Sequence, residues 1–93
     1  MVVGLLTVEL HIPHARSLKD KRMVLRSVKD RLHGLNVAVA EVEYTDLWQR
    51  AGLAVVGVSG TGVQVEKALS AAVDAIERAW PGLITRTQVE LLT

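Results

Sequence analysis

Ninety-three residues, 49% hydrophobic and 23% charged, match one folded domain spanning 1–93 and exclude a disordered or low-complexity chain. With no Cys there is neither a disulfide framework nor a thiolate metal site, which fits a reducing, cytoplasmic setting. No apolar run approaches the roughly 20 residues of a membrane span, so no membrane association is expected, and MVVGLLTVEL, with Glu9 and no basic stretch, does not read as a signal peptide. The net charge of +1 hides an asymmetry. Residues 14–33 carry seven basic side chains against Asp20 and Asp30, a net of +5, and the rest carries four basic against eight acidic, a net of −4. Such a dipole directs binding toward an anion. A single Asn, and Arg in excess over Lys, suggest a thermophile.

The first predicted element is a strand over residues 2–12, in which Leu6, Val8, Leu10 and Ile12 alternate with Val3, Leu5, Thr7, Glu9 and His11. Pro13 ends it. Ser17 and Asp20 form a capping pattern for a helix that Gly34 is placed to close. Leu18, Val24, Leu25, Val28 and Leu32 give that helix its core face, beside a stripe of Lys19, Arg22, Arg26, Lys29 and His33. Strands are predicted at 36–44 and 51–59, joined by TDLWQR at 45–50. Gly60-Thr61-Gly62 then opens a second helix, with Thr61 and Gln64 as its cap and Val65, Ala68, Leu69, Ala72, Val73, Ile76 and Trp80 recurring at helical spacing. Pro81-Gly82 stops it before a last strand over 83–92.

The order βαββαβ predicts the ferredoxin-like plait of the α+β class: a four-stranded antiparallel sheet, order 4-1-3-2, with both helices on one face. That topology brings His11–Lys19, Thr45–Arg50 and Trp80–Gly82 to one end of the molecule.

Several groups of residues are candidates for chemistry. His11 and His14 flank Pro13, and Glu9 or Asp46 could complete a metal site with them, but imidazoles three apart at a strand end usually diverge and no third His is near, so no metal site is expected. Glu9, Glu41 and Glu43 would gather on the sheet face away from the helices, where cross-strand pairing explains them better than paired acid–base work does. Gly57–Gly62 lacks the G-K-[ST] ending of a phosphate loop, and no nucleophile motif occurs, so neither a cofactor nor a catalytic residue is assigned. The basic cluster Arg16, Lys19, Lys21, Arg22, Arg26 and Lys29 is the strongest signal. Cations in the first turns of a helix oppose its dipole, a conflict that makes sense if they hold phosphate or RNA. The middle strands lack the stacking aromatics of an RNA-recognition motif. The open sheet face, expected to show Val3, Leu5, Val37 and Val39 with Leu53 or Val55, suits a homodimer. Trp48 in a polar connection either packs down on the sheet end, the simpler expectation, or presents a contact.

The blocks H-I-P-x-A-x-S-L-K-D-K-R (His11 to Arg22), N-V-A-V-A-E-V (Asn36 to Val42) and D-L-W-Q-R-A (Asp46 to Ala51) resemble the YlxP-like bacterial proteins, a family of unknown function. The resemblance spans nearly the whole chain. It implies the ferredoxin-like fold, a bacterial cytoplasmic protein and, because such genes often neighbour those of initiation factor two and ribosome-binding factor A, a link to translation or ribosome maturation. The first reading is therefore a non-catalytic accessory protein that binds ribosomal or other structured RNA through the basic cluster. Its specific contacts would come from an end-site of His11, His14, Asp46, Trp48, Gln49 and Arg50, together with Arg16. In that site Asp46 is expected to pair with Arg16, Lys19, His11 or His14. The alternative is a dimeric protein-interaction module using the sheet face and the Trp48 connection. An acylphosphatase-like enzyme, of the same topology, ranks last: its glycine-rich loop is absent, and Asn36 stands at the start of strand two rather than mid-sheet.

Overall fold

Alternation builds the central strand. In a computed structural model describing residues 1–93, β1 (Val2–His11) turns Leu6, Val8 and Leu10 into the core and Val3, Leu5, Thr7 and Glu9 to the opposite face. It is followed by α1 (Leu18–Leu32), β2 (Val37–Glu43), β3 (Arg50–Ser59), α2 (Gly62–Ala79) and β4 (Ile84–Leu91). The sheet order is β2-β3-β1-β4, all neighbours antiparallel. This is the ferredoxin-like plait that the element order predicts.

The helices start where the caps say. Ser17 Oγ accepts the Asp20 N–H at 3.1 Å, and Asp20 Oδ2 accepts the Arg16 N–H at 2.9 Å. Thr61 Oγ1 does the same for Gln64 at 3.3 Å. Gly34 is not a left-handed stop: α1 ends through His33 in ordinary helical geometry, and Gly82 alone among the glycines has positive φ. Helix and sheet approach closely at Gly4, where a Cβ would collide with the Val65 side chain. Sixteen buried apolar residues form the core between helices and sheet.

Strand parity corrects the expected open face. Val39 pairs with Val55, and Val55 with Leu6, all on the helix side. Val37 and Val39 therefore pack against the core, and Leu53 and Val55 are fully buried within it. Neither Val37 nor Val39 belongs to the face proposed for dimerisation. The outer face carries Val3 and Leu5 with Val56 and Val58 opposite them, then Ala54, Ala38 and Ala40. No helix is long and apolar enough to cross a membrane.

Candidate functional site

Three segments meet at the C-terminal end of β1. The His11 N–H donates to Leu83 O at 2.9 Å, and the Ile12 N–H to Gln49 O at 2.9 Å. Gln49 Nε2 reaches across to Pro13 O and Ala15 O, each at 3.1 Å. Two depressions open on either side of His11. One, of about 470 Å³, is lined by His11, Asp46, Leu47, Trp48, Gln49 and Arg50. The other, of about 420 Å³, lies among His14, Asp20, Val24, Trp80 and Leu83.

The tether of this end is not Asp46. That side chain is exposed and forms no ion pair or hydrogen bond with Arg16, Lys19, His11 or His14. Lys21 does the holding. It is 1% exposed, the one buried charged side chain in the molecule. Its Nζ lies 2.8 Å from Glu41 Oε2, 2.9 Å from Tyr44 O, 3.2 Å from Arg50 O and 3.4 Å from Thr45 O. One ammonium thus clasps both ends of the β2–β3 connection. Apart from this ion contact Glu41 Oε2 has no partner, so the pair stands or falls together. Lys21 is accordingly withdrawn from the anion-binding cluster expected from the sequence, and Glu41 does not join Glu9 and Glu43 but points to the helix side.

A second cluster occupies the outer face. Tyr44 donates its hydroxyl to Glu9 Oε1 at 3.1 Å, Arg50 Nη2 lies 3.6 Å from Glu9 Oε2, and the Arg50 guanidinium sits 3.8 Å from the centroid of the Tyr44 ring. To reach β1 the phenol must cross β3, and Gly52, opposite Glu9, puts no side chain in its way. A Cβ there would lie 2.8 Å from Glu43 Cβ. The hydrogen bond to Glu9 holds the phenolic proton and raises the Tyr44 pKa above the ordinary tyrosine value. Desolvation adds to this and Arg50 opposes it. Reasoning from sequence missed Tyr44; its position just beyond β2, before a connection, was the available signal.

The remaining cations stand free. Arg16, Lys19, Arg22, Arg26 and Lys29 are all exposed, and none is ion-paired. Arg22, Arg26 and Lys29 border a depression beside Glu41, and Lys29 and His33 border the next one along β2. Trp48 is 52% exposed and Leu47 49%, so the indole does not pack down as a plug. No three His, Asp or Glu side chains gather closely enough to hold a metal ion.

Fold and site together describe a ferredoxin-like plait with a basic helix and a clamped aromatic loop at one sheet end. The family described as "Protein of unknown function (DUF503)" matches residues 3–89, and the chain belongs to it. Over 91 residues, 94% of this chain and 98% of the relative, it is 36% identical to "Uncharacterized protein YlxP" of Bacillus subtilis strain 168. A dimeric ferredoxin-like protein from an uncultured marine organism, known from a crystal structure, is 10% identical with a TM-score of 0.43, covering 98% of this chain and 86% of that one.

Proposed function

We propose that this chain is a non-catalytic cytoplasmic accessory factor that binds structured RNA, such as that of a ribosomal particle, through the exposed face of α1. The observation that carries the reading is that Arg16, Lys19, Arg22, Arg26 and Lys29 are exposed together without a carboxylate partner. Surface cations with no structural duty are free to neutralise phosphates and release counterions. Lys21, which has such a duty, is outside this set. A second copy of the chain is proposed to cover the outer sheet face, where Val3, Leu5, Val56 and Val58 form an apolar band.

Sucrose-gradient sedimentation of a host lysate tests the RNA reading. The protein is expected to travel with ribosomal subunits at low salt and to leave them as salt rises. Free sedimentation at every salt concentration would contradict it, and salt-resistant co-migration would assign the contact to protein instead.

A further inference from the structure

The connection between β2 and β3 is held more firmly than joining two strands requires. Thr45, Asp46, Leu47, Trp48 and Gln49 are all exposed, yet the backbone beneath them is fixed by a buried ammonium and by the Gln49 amide. Antiparallel strands are routinely joined by short turns without such a device, and an apolar pair at positions 21 and 41 would avoid the cost of burying the Lys21 charge. The effect of the clamp is to present Leu47 and Trp48 on a rigid frame, over the depression they share with His11, Asp46 and Arg50. An aromatic side chain held this way loses little conformational freedom on binding, which is what makes such residues effective anchors.

Charge selects the occupant. Gln49 ties the loop to Ala15 O, next to Arg16, and Lys21 of α1 ties it through Tyr44 O, so the connection that carries the indole is anchored beside the start of the unpaired basic face. A flat aromatic beside a row of cations is how proteins take an unpaired base: the ring stacks and the cations follow the phosphates. Asp46 and His11 beside the indole offer an acceptor and a titratable donor to a base edge. We propose that Trp48 is a stacking platform for an unpaired nucleobase of the RNA. This rests on the RNA-binding reading above.

The chain has two Trp residues. Trp80→Phe leaves Trp48 as the sole indole and gives a direct fluorescence readout. Oligouridylate is expected to quench that emission, and a blunt RNA duplex is not. Trp48→Ala should weaken oligouridylate binding about 5- to 150-fold, equivalent to about 1–3 kcal/mol for one stacked base, while leaving the salt slope unchanged. Trp48→Phe should retain most of the affinity. If Trp48→Ala binds like the parent while Arg22→Ala still lowers the salt slope, the stacking proposal falls, the RNA reading stands, and Trp48 belongs to a protein contact. If neither RNA binds at all, both fall.

Discussion

Tyr44 joins the two faces of the sheet. Its backbone adopts φ 59, a left-handed conformation that L residues enter at a cost of roughly 1–2 kcal/mol. The turn sends its carbonyl to Lys21 on the helix side and its hydroxyl to Glu9 on the outer side. The phenol is therefore favoured in its protonated form when folded. A folded pKa above the unfolded one means that the unfolded chain loses its proton first as pH rises. The resulting stability is fully present below the ordinary tyrosine pKa of about 10 and is lost as pH climbs through the folded value. The chain has one Tyr, so its tyrosinate absorbance reports this group alone. Titration should show a midpoint above that of a free tyrosine, and Glu9→Gln should bring it down. A midpoint at or below the free value would disprove the Glu9 bond.

At the scale of elements, Lys21 is what connects α1 to β2 and to the loop beyond it. Removing one partner of a buried pair leaves the other uncompensated, so Lys21→Met should destabilise the fold by about 3–5 kcal/mol in urea denaturation. Adding Glu41→Leu should restore much of that loss, giving a strongly non-additive double-mutant cycle. Additive losses would show that the two charges do not depend on each other. The same pair explains what the sequence concealed. Periodicity and caps exposed all six elements, but a lysine among basic neighbours read as one more cation of the anion-binding cluster. Its spacing held the contrary signal: Lys21 lies three residues after Leu18 and four before Leu25, within the apolar arc of α1. Once Lys21 is inside, Glu41 must follow it, and Val37 and Val39, of the same parity, turn inward with it. The convergence of His11–Lys19 with the 45–50 connection was legible from topology. The tether was not, because backbone carbonyls leave no mark in a sequence.

For the molecule as a whole, a basic helix face and an apolar sheet face point in opposite directions, which lets one chain bind a polyanion and a second copy at once. The assembly is tested by sedimentation at micromolar concentration. The parent chain should run as a dimer and Leu5→Lys as a monomer that unfolds with unchanged cooperativity, because Leu5 lies outside the core. A monomeric parent would remove the sheet-face interface. The central claim concerns the other face, and the salt dependence of RNA binding tests it most directly. Neutralising Z phosphates makes log K fall with log salt at about −0.9Z for duplexes and −0.7Z for single strands. With three to five of the exposed cations engaged, the slope should be roughly −2 to −4, and Arg22→Ala or Arg26→Ala should each reduce its magnitude by about one while the fold is retained. A slope near zero, or binding unaffected by both substitutions, would show that the basic face of α1 does not hold RNA.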